Sequence, residues 1–193
     1  MKVLLALFIF LPAIVKAQYI EQSPTIPFDS LAHKICYTEI VKVDSLSKEQ
    51  IYTCVREWFN RSFDIGHAVV SMDDYNAGHL IARGTVFGKK SHGLGRTGMT
   101  ISFIIDLFVK DGKYKYVITD FNLLAGIDGN LLPDWESADP YAIDPKHKNK
   151  KGEYTGAALQ YLGILDGNIH YMINNLKDAV SKKLYSYKMK NDF

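Results

Sequence analysis

The stretch that decides the fold is Met99 to Phe121, MTISFIIDLFVKDGKYKYVITDF. Two alternating apolar runs meet at Asp111-Gly112, a pair whose residues both tolerate positive φ and so suit a two-residue hairpin turn. Closing the hairpin there sets Lys110 against Lys113, Val109 against Tyr114, Leu107 against Tyr116 and Ile105 against Ile118. Alternate side chains of a strand point to opposite faces. One face therefore carries Met99, Ile101, Phe103, Ile105, Leu107, Val109, Tyr114, Tyr116 and Ile118, and is core. The other carries Ser102, Ile104, Asp106, Phe108, Lys113, Lys115, Val117 and Thr119, a mixture that suits an open or partly covered face.

Working outward, His67 to Met72 and Gly78 to Phe87 read as two more strands around an Asn76-Ala77-Gly78 turn, and Gly88 to Gly98 as a Gly/Lys-rich loop. Upstream, Ile35 to Val43 is rich in β-branched residues and strand-like. Ser47-Lys48-Glu49-Gln50 is a capping box, in which the serine oxygen takes an orphan helix N–H and the glutamine reaches back. Ile51, Val55, Trp58 and Phe59 then form the stripe of a helix expected to end near Asn60. Downstream, residues 122–152 read as a long irregular loop ending in the basic run Lys146 to Lys151, and loops of that length are commonly functional. From about Thr155 to Met189 the apolar stripe Leu162, Leu165, Ile169, Met172, Ile173, Leu176, Val180 and Leu184 predicts a helix, with Gly163 and Gly167 as points where it could bend. The order is β-α-β-β-β-β-α. An α+β fold with both helices on one face of a twisted antiparallel sheet is the economical arrangement.

At the N-terminus, Met1-Lys2, the apolar run Val3 to Val15 and Val15-Lys16-Ala17 have the pattern of a signal peptide cleaved after Ala17. The run is shorter than the ~20 residues of a spanning helix. Residues 18–34, with Pro24 and Pro27, read as an extended arm, and 35–193 as a single α+β domain. The expectation is export to the periplasm or cell surface, with no span of the membrane once processed. Removing residues 1–17 takes two lysines and no acid from the 23 basic and 21 acidic residues, leaving 21 of each. A neutral domain gives no electrostatic case for nucleic acid. Export also raises a disulfide between Cys36 and Cys54. Parity opposes it: Cys36 lies on the face opposite Tyr37, whereas Cys54 shares the inward helix face of Ile51, Val55 and Trp58.

Together, the export signal, the Tyr37 to Val43 strand, Ser47-Lys48-Glu49-Gln50-Ile51-Tyr52, Trp58 and the Lys110-Asp111-Gly112-Lys113-Tyr114-Lys115-Tyr116 hairpin closing on Phe121 resemble a bacterial family known as domain of unknown function 4468. The resemblance covers about residues 35–121. It implies a TATA-box-binding-protein-like (TBP-like) fold and carries over no catalytic or binding residue. The DNA-binding protein that gives the fold its name lends no function here, because function resides in sites rather than folds.

Few motifs point to chemistry. Gly93-Leu94-Gly95-Arg96-Thr97-Gly98 matches the dinucleotide pattern, but a strand rather than a helix follows it. What is left is a flexible loop, or an anion nest helped by Lys89, Lys90, His92 and Arg96. The six histidines lack metal-site spacing, and the acids around Asp128 lack the calcium-loop pattern, so no metal and no cofactor is expected. The open sheet face offers more. Asp106 could pair with Lys115, Phe108 lies beside Lys115, and Arg83 and Thr85 join them if the odd residues of their strand point outward. The first expectation is a non-enzymatic binding or accessory module holding an envelope protein or peptide on that face. The alternative is a small-ligand binder or enzyme with a pocket under residues 122–152, and a third is self-association through a strand edge.

Overall fold

The computed structural model describes residues 23–63, 68–92, 95–127, 130–131 and 134–191. The signal-peptide reading and its cleavage after Ala17 therefore lie outside the described residues, as does the start of the arm. The rest of the arm is not simply extended. Strands β1 (Phe28–Asp29) and β2 (Lys34–Ile35) pair as a small antiparallel hairpin. Its second strand is tied to the main domain by a Lys34–Asp120 ion pair and by the Ile35 amide donating to Asp139 Oδ1 at 2.8 Å.

The main sheet is antiparallel. It comprises β3 (Tyr37–Lys42), β4 (Ala68–Asp74), β5 (His79–His92), β6 (Gly95–Lys110) and β7 (Lys113–Ile127), in the order β3-β7-β6-β5-β4. Short strands β8 (Asn130–Leu131) and β9 (Glu136–Ser137) add to β7. The hairpin register is the one expected from the turn, from Lys110↔Lys113 to Ile105↔Ile118. All nine residues of its expected core face are buried. The turn itself differs in one detail, since Gly112 alone takes a positive φ (+71°) and Asp111 does not. Tertiary bonds hold it: the Gly112 amide donates to Leu46 O, the Val43 amide to Gly112 O, and the Lys48 amide to Asp111 Oδ1.

Helix α1 (Lys48–Ser62) follows β3, and both halves of its Ser47/Gln50 capping box are formed, a cap contributing about 1 kcal/mol. It buries Ile51, Tyr52, Cys54, Val55, Trp58 and Phe59. Helix α3 (Gly156–Asn191) runs unbroken through Gly163 and Gly167 and buries Leu162, Leu165, Ile169, Met172, Ile173, Leu176 and Val180. Both helices join one core with the inward face of the sheet. Polar clamps add to that packing. The Tyr37 hydroxyl donates to Asp166 Oδ1 of α3 at 2.7 Å, while Glu39 Oε2 receives both the Tyr116 hydroxyl (2.7 Å) and Lys177 Nζ of α3 (2.6 Å).

Two expectations are corrected. Residues 88–98 are not an open loop, because β5 and β6 stay paired through Lys89↔Gly98 and Ser91↔Arg96 to His92↔Gly95. The glycines there permit close approach. A Cβ on Gly88 would sit 2.3 Å from Ile164 Cγ2 of α3, and one on Gly98 would sit 3.0 Å from the Phe87 ring. Residues 122–152 are not one irregular loop either. Strand β7 continues to Ile127, and α2 (Asp139–Ile143) and a 3-10 turn (Pro145–His147) follow β9. Ala138 and Ala142 are core residues, and the Tyr154 hydroxyl donates to Ala142 O. The continuation of β7 was hidden by a bulge between Thr119 and Asn122, where Asp120 adopts φ +56°. Buried positions are even-numbered before it (Tyr114, Tyr116, Ile118) and odd-numbered after it (Phe121, Leu123). No disulfide joins the cysteines, whose pairing parity opposes: Cys54 is buried and Cys36 half-buried, each keeping its thiol. Burial first, and then the Asp29 charge, push the Cys36 thiol up, against the pull of Lys115.

Candidate functional site

With both helices on one side, the outward face of β3, β7, β6, β5 and β4 is left for other contacts. Strand register orders its side chains in rows. At the end nearest the Asp111-Gly112 turn stand Lys42, Lys113 and Lys110, side by side on β3, β7 and β6. The next row is Ile40, Lys115, Phe108 and His79, and the third is Thr38, Val117, Asp106 and Ile81. Thr119, Ile104 and Arg83 form the fourth.

The parity of β5 is the one that brings Arg83 onto this face: Leu80 and Ala82 are buried, and Arg83 is exposed. The four expected partner-binding residues thus share a face, though not a single cluster. Asp106, Phe108 and Lys115 occupy adjacent rows, whereas Arg83 stands two rows from Phe108, about 13 Å away at the rise of a strand. The expected Asp106–Lys115 pair is not formed. Asp106 Oδ1 instead meets His79 Nε2 at 2.5 Å, and the His79 ring stacks on Phe108 with centroids 4.3 Å apart and planes 15° from parallel. Lys115 and His79 flank Phe108 in the same row, each one row from Asp106, so register alone permits either partner.

Phe108 is thereby half-covered, 39 % exposed, while Ile40 across the row is 60 % exposed. Ile40, Phe108, Lys110, Lys113, Tyr114 and Lys115 line a depression of about 350 Å³. Lys42, Lys110, Lys113 and Lys115 are all exposed, and among the described residues none is in an ion pair. Sequence reasoning placed Lys113 and Lys115 outward but missed Ile40, Lys42 and the His79–Asp106 contact. The alternation of Tyr37 to Lys42 could have supplied the first two, had the β3–β7 pairing been known.

Other features have less directed chemistry. The Tyr52 hydroxyl donates to Asp73 Oδ1 at 2.6 Å, and Arg56 Nε meets Asp73 Oδ2 at 2.9 Å, tying α1 to β4. A groove of about 430 Å³ between α1 and α3 mixes Glu57 and Asp178 with Arg61 and Lys182, so it favours neither sign of charge. The residues proposed as an anion nest divide. The backbones of Lys89, Lys90, His92 and Arg96 are extended in the β5–β6 ladder rather than curled into a cradle, and the side chains of Lys90, His92 and Arg96 lie outside the described set. Among the described residues no group of His, Cys, Asp and Glu is arranged to hold a metal ion, and no helix is long and apolar enough to cross a membrane.

Comparison with known proteins gives the same frame. Residues 37–123 match the family model described as "Domain of unknown function (DUF4468) with TBP-like fold". Among solved structures, a DUF4468 family protein from Bacteroides ovatus superposes with a TM-score of 0.67 at 13 % identity, over 80 % of this chain and 90 % of that one. A TBP-like protein from Parabacteroides distasonis superposes with a TM-score of 0.64 at 15 % identity, over 81 % and 97 %. At such identities the likeness is one of fold. A search of curated proteins finds no match.

Proposed function

Residues 37–123 of this chain belong to the DUF4468 family of TBP-like fold, a family with no assigned activity, and from that premise we propose an exported, non-enzymatic binding module of the cell envelope. It holds a protein or peptide partner against the open sheet face. The observation that carries this reading is the row Ile40, Lys115, Phe108 and His79, which leaves two large apolar side chains exposed on interior and edge strands while α1 and α3 pack on the opposite side. Aromatic and cationic residues around a shallow apolar centre suit a protein interface. The N-terminal pattern of residues 1–17 supports export, and the balanced charge of the remainder argues against nucleic acid as the partner.

The test is a pull-down from envelope extract with residues 18–193 as bait and a Phe108→Ala/Lys115→Ala variant as control. A partner retained by the wild type and lost with the variant is the expected result. Folded bait that retains nothing, or a partner held equally by both, sinks the reading.

A further inference from the structure

The lysine end of the open face has a charge pattern that the fold itself does not require. Lysines on edge strands protect sheets from edge-to-edge pairing, and Lys42, on the edge strand β3, has that explanation. Lys113 and Lys115 are on β7 and Lys110 on β6, both interior strands, where no edge needs protection. Moreover, Lys113 stands directly between Lys42 and Lys110, and like charges directly opposite one another destabilise a sheet. Among the described residues no nearby acid forms an ion pair with the row. Asp111 Oδ1 accepts from the Lys48 amide, Asp106 is held by His79, and Glu39 is bound on the inner face by Lys177.

We infer that this end of the sheet recognises an acidic, extended peptide segment with an apolar anchor residue, an inference that rests on the open-face reading above and specifies its partner. Charge complementarity selects the class. Lys110, Lys113 and Lys115 line the depression whose apolar walls are Ile40 and Phe108, and Lys42 stands beside Lys113. The spacing selects the extended form. Lys113 and Lys115 are two residues apart on one strand, about 6.7 Å, which is also the repeat of alternate side chains in an extended peptide. Carboxylates at alternate positions of the partner meet the lysines, and an apolar side chain between or beside them enters the depression. An anionic membrane surface shares the charge but needs no pocket of side-chain size.

The experiment selects dodecapeptides from a random displayed library on residues 18–193, with Lys113→Glu/Lys115→Glu in parallel. That variant sets opposite charges beside Lys42 and Lys110, so repulsion across the strands falls and folding is kept. Lys113→Gln/Lys115→Gln is the second variant, and circular dichroism checks both. The expected result is enrichment of peptides rich in Asp and Glu that also carry a Leu, Ile or Phe. Their affinity for either variant drops at least about tenfold, and it weakens with added salt. No enrichment, enrichment without acidic bias, or acidic peptides that bind the variants equally well overturns the inference. So does lysine-dependent binding to phosphatidylglycerol vesicles in the absence of peptide selection, which would put a membrane in the partner's place. If the envelope pull-down succeeds while the library shows no acidic preference, the open-face reading survives and the acidic class falls. If both fail, both readings fall.

Discussion

Substituting Gly88 by alanine should weaken the contact between the sheet and α3, and a second substitution should repair it. A Cβ at Gly88 would lie 2.3 Å from Ile164 Cγ2 and 2.5 Å from Asn168 Nδ2. Carbon atoms in contact prefer about 3.5–4.0 Å, so the groups must separate by more than about 1 Å. Neither yields easily. A β-branched residue in a helix has essentially one χ1 rotamer, and the Asn168 amide donates to Ile164 O at 2.8 Å. Overpacking of this kind costs about 1–3 kcal/mol. For a domain of this size that is a fall in Tm of about 2–4 °C per kcal/mol. Ile164→Leu removes the offending γ-methyl at nearly constant volume and alone should cost less than about 1.5 kcal/mol. The double variant should then be more stable than the sum of the single losses by about 1 kcal/mol. Thermal melts by circular dichroism and urea midpoints with an unchanged m-value give the numbers. Losses additive to within about 0.5 kcal/mol, or a Gly88→Ala variant with wild-type Tm, would refute the close-approach account.

Three further outcomes are expected. Gly78→Ala should cost more than Gly88→Ala and resist repair by side-chain changes, because Gly78 sits at φ +68° and its Cβ would meet the backbone oxygen of Val109 at 2.3 Å; urea midpoints decide. Lys177 first, and then the Tyr116 hydroxyl, hold the Glu39 carboxyl below its ordinary 4.5. A lowered carboxylate stabilises the fold above its unfolded value and ceases to do so as pH falls, so Glu39→Gln should lose up to about 1 kcal/mol at neutral pH after solvent screening, with the gap to wild type closing below about pH 4.5 in melts taken across pH. Burial, and then the Glu136 carboxylate, push the Tyr141 hydroxyl up to about 12, and burial acts in the same direction on Tyr37, Tyr52 and Tyr116. A raised tyrosine stabilises the fold below pH 10 and loses that contribution as pH climbs through its folded value, so tyrosinate absorbance should rise together with loss of near-UV dichroism; ionisation of all the tyrosines near pH 10 in folded protein would contradict it.

The local signals in this chain were legible where they were self-sufficient. The Asp111-Gly112 pair and strict alternation were enough to set the β6–β7 register, and Ser47 with Gln50 was enough to start α1. Reading failed where a residue served a distant element. Gly88 and Gly98 resemble loop residues until Ile164 and Phe87 are seen above them. Asp120 resembles the end of a strand because it breaks the alternation, although Leu123 resumes it. At the candidate site, the outward positions of Asp106, Phe108 and Lys115 followed from parity. The choice of His79 as partner for Asp106 did not, since it depends on which strand lies on the far side of β6.

The bulge at Asp120 makes that residue supernumerary to the ladder. Strike it out, and Thr119, Phe121, Asn122 and Leu123 follow one another in unbroken alternation, with Phe121 opposite Phe103 and Asn122 still opposite Ser102. The sheet can be spelled without Asp120. What cannot be kept is its carboxylate, which pairs with Lys34 and is one of the ties of the β1–β2 hairpin. Deleting Asp120 should therefore leave the melting of the main domain nearly intact and make protease cut residues 23–35 faster without releasing them, because buried Ile35 and its bond to Asp139 remain, so that the residue serves as one fastening of the N-terminal segment rather than as a rung of its own strand.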